Sequence, residues 1–203
     1  MNHAIEFQST HYEFLTITPR KKTLHNQLYR IESGKVLLKL GKNEYVYNAG
    51  EAFWLPFDCL SSLTILPNTK LSLAKFSVRL SDLFPSQAGR VTLTSLLTAL
   101  INKLNEQLDS EIRKDLLQVV RHEVVALHPH LSQSKECKEI TEWRPNTTSI
   151  SGELSLVLLV REARKQKLSG IKREIICEKL FGGNEMQLQS LSLSLLGSED
   201  FSE

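Results

Sequence analysis

The sequence predicts an α+β fold, in which an N-terminal antiparallel β-barrel of the jelly-roll type precedes an α-helical hairpin and a small C-terminal helical segment. Three observations predict it. Short apolar runs alternate with glycine-containing turns between residues 28 and 56. After Gly89 the apolar residues recur every three or four positions, and they do so again after Ser151. Regularly spaced short strands are typical of small antiparallel barrels, and the longer period is typical of amphipathic helices.

The strand region divides into short runs separated by turn residues. Residues 1–20 contain alternating apolar runs, which suit a first strand or an arm. Four predicted strands follow at 28–32, 35–40, 44–47 and 51–55, with turns at 33–34, 41–43 and 48–50. Two more, at 60–66 and 71–78, flank a turn at Pro67-Asn68, and residues 85–89 end the region. An architecture of this kind encloses a pocket, and the lining of that pocket separates a metal enzyme from a ligand sensor.

An amphipathic helical hairpin is predicted between residues 90 and 130. Thr92 or Thr94 suits the start of its first helix, and Asp109 or Ser110 suits the start of the second. One apolar face can lie on the barrel. Any apolar surface of the hairpin that the barrel does not cover would be buried against a partner subunit. We therefore predict a homodimer, with core packing as the alternative use of the stripe. The residues predicted at the dimer interface are Leu93, Leu97, Leu100 and Leu104.

The C-terminal third begins after a polar stretch. Residues 128–150 contain two prolines and are typical of a linker. Helices are then predicted at 152–167 and 171–181, and a third begins after Asn184 and ends at Gly197. The predicted units are a barrel at 1–89, a hairpin at 90–130, a linker at 131–150 and a helical segment at 151–203.

Composition excludes several classes of protein. The chain has 203 residues, of which 41% are hydrophobic and 24% charged, and its formal net charge of +2 creates no strong field toward nucleic acid. No apolar run reaches the length of a membrane span, and the N-terminus lacks a secretory signal. The three cysteines are far apart, which predicts reduced thiols in the cytoplasm. No phosphate-binding loop, HExxH or GxSxG motif is present, so we expect no enzyme and no catalytic residue.

The strand region resembles the cupin superfamily. Gly50 and Pro56 have the spacing of the second cupin motif, and Gly34 fits the glycine that closes the first. The resemblance implies a barrel around a central pocket. In metal-binding cupins a Glu and three His residues hold the ion, but the Glu position here is Gln27 and the His position of the second motif is Ser61. Neither side chain replaces those ligands, so we expect no metal and no cofactor.

The cupin register also predicts which side chains line the pocket. With Gln27 pointing inward, strand alternation sends Tyr29 inward as well, and His25 has the same parity. Ser61 enters from the opposite motif, and Trp54 or Phe53 forms a wall. The predicted ligand-binding residues are His25, Gln27, Tyr29, Trp54 and Ser61. Such a lining suits a small, partly polar ligand such as a sugar or an amphiphile. A barrel filled by its own side chains is the alternative.

The order of barrel, hairpin, linker and helices resembles AraC-type transcription regulators. That family's first helix-turn-helix unit has the pattern Gly-x-Ser-x-Arg-x-Leu-x-Arg followed by Gly, and residues 182–190 with Gly197 are similar in spacing. Leu188 is retained and Asn184 replaces the capping Ser, whereas Met186 and Ser190 stand where the family has Arg. The resemblance implies a barrel that senses a small molecule, helices that pair two subunits and a C-terminal part that binds DNA.

The sequence also allows other functions. The residues predicted to contact DNA are Arg164, Lys165, Lys172, Arg173, Gln187 and Gln189, and a solvated helix face is the other interpretation of them. The missing arginines motivate a second hypothesis, a partner-binding cupin accessory protein without its own DNA contact. A cupin isomerase or epimerase, with His25 as the base, is the less favoured third.

Overall fold

The fold is described here from a computed structural model, which describes residues 4–145, 147 and 149–198. In this part of the chain the strands precede the helices. The strands are β1 (Ile5–Tyr12), β2 (Thr16–Ile17), β3 (Lys21–Lys22), β4 (Asn26–Ser33), β5 (Lys35–Leu40), β6 (Asn43–Asn48), β7 (Ala52–Leu55), β8 (Leu60–Ile65), β9 (Thr69–Phe76) and β10 (Gly89–Val91). The helices are α1 (Ser95–Leu104), α2 (Ser110–Val125), α3 (Lys135–Glu142), α4 (Glu153–Leu168), α5 (Arg173–Phe181) and α6 (Glu185–Leu196).

The strands form two antiparallel sheets. Sheet I has the order β1-β9-β4-β7-β10, and sheet II has the order β2-β8-β5-β6, with β3 also paired to β8. The predicted α+β class and the antiparallel strands are confirmed. The strands of the predicted jelly roll are divided between these two sheets, and no hydrogen-bonded ladder joins the sheets within the part of the chain described. Strand β10 was not predicted, because three residues carry too little periodicity to be recognised.

The central strands of both sheets are covered on two sides, which explains the continuous apolar runs in β5 and β7. Between the sheets lie residues such as Ile31, Phe53 and Leu38. The other face of sheet I packs against α1 and α2, and the other face of sheet II packs against α3 to α6. Strands covered on two sides lose the alternation of apolar and polar residues that marks a half-exposed strand. The molecule therefore has four layers, with helices outside and sheets inside.

The α1–α2 hairpin uses its apolar stripe within its own chain. Leu97, Leu100 and Leu104 are 0%, 8% and 1% exposed and lie in one cluster with Val120 of α2 and residues of sheet I. Leu93 is partly buried against the same cluster. The dimer interface predicted on these four leucines is therefore corrected to intramolecular core. Thr94 is the N-cap of α1, and its hydroxyl accepts a hydrogen bond from the Leu97 N–H at 3.0 Å.

Helix α3 lies in the segment predicted to be a linker, and it covers an edge of sheet II. Edge strands present unpaired backbone groups that invite pairing with other chains. Here Thr141 Oγ1 accepts from the Glu44 N–H of β6 at 2.9 Å, and Cys137 Sγ accepts from the Val46 N–H at 3.4 Å. Trp143, which follows the helix, is buried in the cluster under sheet II. The segment is thus a packed element of the fold.

An ion pair fixes the C-terminal helices to sheet II. The Arg161 guanidinium of α4 donates to both carboxylate oxygens of Glu44, at 2.6 and 2.9 Å, and also to Thr64 Oγ1 at 3.3 Å. The Glu44 side chain is only 5% exposed. At the far end of the unit, the Leu15 N–H donates to the Leu195 carbonyl of α6 at 2.7 Å. The helical unit therefore contacts the sheets at two separate places.

Gly34, in the β4–β5 turn, is expected to resist substitution. Its φ is +84°, and a Cβ there would lie 2.3 Å from Thr69 Oγ1 and 2.7 Å from Thr69 Cα. Because both the backbone conformation and the space oppose a side chain, Gly34→Ala should lower the free energy of unfolding by about 3 kcal/mol. Urea denaturation would measure it. Gly41→Ala is the control, since φ is +60° but no atom lies within 4 Å. Equal losses in the two variants would contradict the steric argument.

The described helices include none that is both long enough and apolar enough to cross a lipid bilayer.

Candidate functional site

A cleft of about 370 Å³ opens between the two sheets at one end of the molecule. Sheet I contributes Gln27, Tyr29 and Leu55, and sheet II contributes Ser61 and Leu63. The segment before β4 forms the rim and includes His25. Four of the five predicted ligand-binding residues, His25, Gln27, Tyr29 and Ser61, therefore line one cavity. Whether they hold a ligand stays a prediction.

The inner end of the cleft is closed by aromatic rings. The Tyr29 hydroxyl donates to Gln27 Oε1 at 3.1 Å. Behind it, the Tyr29 ring stacks on Phe53 with centroids 4.7 Å apart, and Tyr47 meets Phe53 at 4.6 Å. The space between the sheets is thus open at the Gln27 end and filled beyond Tyr29. Burial raises the pKa of Tyr29 well above its usual value of 10, so the phenol keeps its proton at neutral pH.

Trp54 does not line this cleft, which corrects its predicted role. Neighbouring residues of a strand face opposite sides, so only one of Phe53 and Trp54 can point between the sheets. Tyr29 pairs with Phe53 across β4 and β7, and Leu28 pairs with Trp54. Trp54 therefore faces α1 and α2, where its Nε1–H donates to the Pro85 carbonyl at 2.9 Å. The cross-strand register decides this, and the sequence did not reveal that register.

Lysines at the rim were not predicted from the sequence. Lys21, Lys22 and Lys75 all line the cleft. Lys22 Nζ lies 3.0 Å from Asp58, and Lys75 Nζ lies 3.9 Å from Glu6. Lys75 pairs with Gln27 across β9 and β4, and Lys21 pairs with Ser61 across β3 and β8. Both lysines are thus placed beside predicted pocket residues by strand pairing, which gives the cleft a positively charged rim.

The residues at the cupin ligand positions do not fit a metal ion. The Gln27 oxygen already accepts the Tyr29 hydroxyl, and Lys75 and Lys21, which are cross-strand neighbours of Gln27 and Ser61, are not metal ligands. Across the described ranges, no group of three or more His, Cys, Asp or Glu side chains is arranged to hold a metal. Oxygen and nitrogen ligands in such numbers are what Zn, Fe or Mn sites require.

The residues predicted to contact DNA lie on α4, α5 and α6 in different environments. Arg173 Nε donates to Glu185 Oε1 at 2.6 Å, which lowers the pKa of that carboxyl and fixes the guanidinium inside the unit. Arg164 is half-buried. Lys165 is exposed and pairs with Glu162 at 3.3 Å. Lys172, Gln187 and Gln189 are exposed.

Helix α6 follows α5 after a short turn and presents an outer face without positive charge. Asn184 Oδ1 accepts from the Gln187 N–H at 3.0 Å, so the predicted cap is formed. Leu188 and Leu195 are buried against the rest of the unit. Met186 and Leu193 are 82% and 52% exposed, and residues 185–197 include no lysine or arginine. The outer face of α6 is consequently polar and apolar, without positive charge.

No protein-family model matches the chain, and no curated protein matches it. Solved structures do match. A cupin superfamily protein from Desulfitobacterium hafniense is 8% identical, with a TM-score of 0.35 over 38% of this chain and 71% of that one. An RmlC-like cupin from Shewanella frigidimarina is 16% identical, with a TM-score of 0.34 over 39% of this chain and 71% of that one.

One match extends over the whole chain. A variant of apo ToxT from Vibrio cholerae is 10% identical and has a TM-score of 0.43, covering 97% of this chain and 95% of that one. ToxT is an AraC-family regulator. At these identities the likeness concerns the fold and assigns no function.

Proposed function

We propose that this protein is a ligand-sensing transcription regulator of the AraC type, with a metal-free cupin sensor and a diverged DNA-binding part. The observation that supports this most is the polar cleft between the sheets, open to solvent beside Gln27 and Ser61. It lies in a fold whose C-terminal helices pack on one of the two sheets that form it. A binding cavity and a helical output unit are the two parts that a sensor needs.

The proposed ligand is small and partly polar. Gln27 and Ser61 offer hydrogen bonds, and Leu55 and Leu63 offer apolar contact. Lys21 and Lys75 would favour an acidic group on the ligand, since partly desolvated opposite charges attract more strongly than in bulk water. We propose a binding role for the cleft and not a catalytic one.

Ligand binding can be tested by thermal unfolding with defined probes. Monosaccharides and medium-chain carboxylates are suitable, since binding to the native state raises the melting temperature. In Gln27→Leu we expect the affinity of an active probe to fall about tenfold through loss of a buried hydrogen-bonding partner. Gln8→Leu, at an exposed position of β1, is the matched control. Unchanged melting temperatures with every probe, or equal effects in both variants, would contradict a ligand site in the cleft.

A route from the cleft to the helices is provided by the chain before β4. Thr18 and Lys21 line the cleft, and Leu15, three residues before Thr18, donates its N–H to Leu195 of α6. The Phe14 ring lies so close to Gly197 that a Cβ there would come within 2.8 Å of it. A ligand that shifts this segment would therefore act on the C-terminal end of α6. This contact supports coupling between sensing and output.

The DNA-binding part of the proposal rests on exposed side chains of the helical unit. Lys165 and Lys172 would contact phosphates, and Gln187 and Gln189 would reach base edges. In gel-shift titrations with the DNA upstream of the gene, Lys165→Glu combined with Lys172→Glu should weaken binding at least about tenfold at low salt, since each lost phosphate contact lowers affinity. Lys103→Glu combined with Lys114→Glu is the control, since these exposed lysines lie on α1 and α2, which cover the other sheet. Equal binding by both proteins, or no binding by the wild type, would exclude this part.

A second candidate function is a cupin accessory protein that binds a partner without contacting DNA. The outer face of α6, which has no positive charge and exposes Met186 and Leu193, favours it. Co-purification of a DNA-binding protein from the native host, lost in Met186→Lys, would support this candidate over direct DNA binding.

Homodimer formation remains part of the proposal, although the predicted leucines are buried. Ile112 and Val119 are 48% and 40% exposed and lie seven residues apart on α2, so they share one face of that helix. Analytical ultracentrifugation of the wild type and of Val119→Glu would test a dimer through this face. Cys59, Cys137 and Cys177 are free thiols, which suits the proposed cytoplasmic location.

A further inference from the structure

A second cleft lies outside the sheets, on the opposite side of sheet I from the first. It has a volume of about 290 Å³ and is bordered by the ends of β4, β7 and β10 and by α1. Gly50 and Ala52 leave the space open, because neither extends a side chain beyond Cβ. Arg30 brings a positive charge to it, Glu51 and Arg90 border it, and Thr92 and Thr98 bring hydroxyl groups. No residue of this cleft lines the one between the sheets.

Two of the three charged groups are satisfied by protein partners. Arg90 Nη1 pairs with Glu51 Oε1, and Arg90 Nη2 donates to the Val46 carbonyl at 2.9 Å. The Arg90 guanidinium also lies 4.9 Å from the centroid of the Tyr47 ring. Glu51 Oε2 accepts from the Asn48 N–H at 2.7 Å. This pair is therefore fixed, electrically balanced and well supplied with hydrogen bonds.

Arg30 is different. Its side chain is 14% exposed, and with the residues described here it makes one hydrogen bond, from Nη1 to Asn102 Oδ1 at 2.6 Å. A guanidinium has five N–H donors, and none of those of Arg30 is both buried and without a partner, so the remaining donors are accessible from the cleft. The nearest carboxylate, Glu32, is 3.7 Å from Nη2, and one oxygen of that carboxylate accepts from Ser72 Oγ at 2.6 Å and from Asn105 Nδ2 at 3.2 Å.

We propose that this second cleft binds a small anion, a carboxylate or a phosphate, through the Arg30 guanidinium, with the hydroxyls of Thr92 and Thr98 as further donors. The planar fork of an arginine matches the paired oxygens of both groups. A volume of about 290 Å³ limits the ligand to a few heavy atoms beyond the anionic group. This site goes beyond the proposed sensor cleft and does not depend on it.

The location gives such an anion a defined structural effect. Arg30 belongs to β4 of sheet I, and its hydrogen-bond partner Asn102 belongs to α1. An anion on Arg30, held also by Thr98, would bridge the same two elements from the solvent side. Binding should therefore stabilise the packing of α1 on sheet I.

Isothermal titration of the full chain with inorganic phosphate and, separately, with succinate would test the proposal. Both titrations use constant ionic strength in chloride, which screens nonspecific attraction equally. We expect saturable binding of at least one probe to the wild type. Arg30→Gln should weaken it at least about tenfold, because a charge-assisted hydrogen bond is lost. The two arms separate a phosphate site from a carboxylate site.

Three further variants keep the test decisive. Thr98→Val removes a hydroxyl without touching the ion pairs and should also weaken binding, which covers the case in which Arg30→Gln folds poorly. Arg20→Gln and Gln8→Leu, both at exposed positions, should bind like the wild type. Absence of saturable binding to the wild type would overturn the proposal. So would equal weakening in Arg20→Gln, or affinities in Arg30→Gln and Thr98→Val that match the wild type.

Discussion

Arg161→Ala is expected to lower the free energy of unfolding by about 3 kcal/mol, because it leaves the Glu44 carboxylate buried without its bidentate partner. Glu44 is 5% exposed and would keep only Lys39, 3.8 Å away and itself 44% exposed. The cost belongs mainly to the stranded carboxylate and not to the attraction that is lost. Chemical denaturation followed by circular dichroism would measure the change.

Two comparisons define this expectation. Lys165→Ala, on the same helix, removes a pair whose lysine is 74% exposed, and it should cost no more than about 0.5 kcal/mol. The double variant Arg161→Met with Glu44→Leu should recover much of the loss, since it removes both charges together. A loss below about 1 kcal/mol for Arg161→Ala would show that the pair contributes little to holding α4 on sheet II.

Trp54→Ala is expected to lower the free energy of unfolding by about 4 kcal/mol, since the indole is fully buried and its removal leaves a large cavity. The ring packs near Phe76 and Phe84, each with its centroid 5.9 Å away. The change should leave the affinity of any ligand of the cleft between the sheets unaltered, because Trp54 lies on the other side of sheet I.

The milder variant Trp54→Phe separates packing from hydrogen bonding. It keeps most of the apolar volume and loses the bond from Nε1–H to the Pro85 carbonyl, so a loss of about 1–2 kcal/mol is expected. Calorimetric unfolding would give both values. If ligand affinity changed greatly at a temperature where the protein is folded, while stability changed little, the placement of Trp54 between sheet I and the helices α1 and α2 would be wrong.

Local pattern was sufficient to predict most elements of the fold. The predicted strand at residues 35–40 coincides with β5, and the apolar stripe after Gly89 corresponds to α1. Thr94 and Asn184 cap their helices as the local chemistry predicts. These features depend on residues within a few positions of one another, where steric and hydrogen-bonding rules act directly.

Features that depend on pairing between distant residues escaped prediction. The side of sheet I on which Trp54 lies is set by the register of β4 against β7. The position of Lys75 beside Gln27 is set by the register of β9 against β4. Helix α3 escaped for another reason. It has only eight residues, and its buried apolar side chains, Cys137 and Ile140, make too short a pattern to be recognised within a polar stretch. Cross-strand register and tertiary contact are properties of the folded chain as a whole.

The side chains of α3 that accept hydrogen bonds from β6 also protect the protein from aggregation. Without Thr141 and Cys137, two outward amide groups of β6 would meet water, and the strand would be a template for the same strand of another molecule. A thiol is a weak acceptor whose capacity changes on oxidation. The connecting segment between the sheets and the C-terminal helices thus also acts as a guard against self-association, and its loss would favour aggregation even where both sheets remain folded.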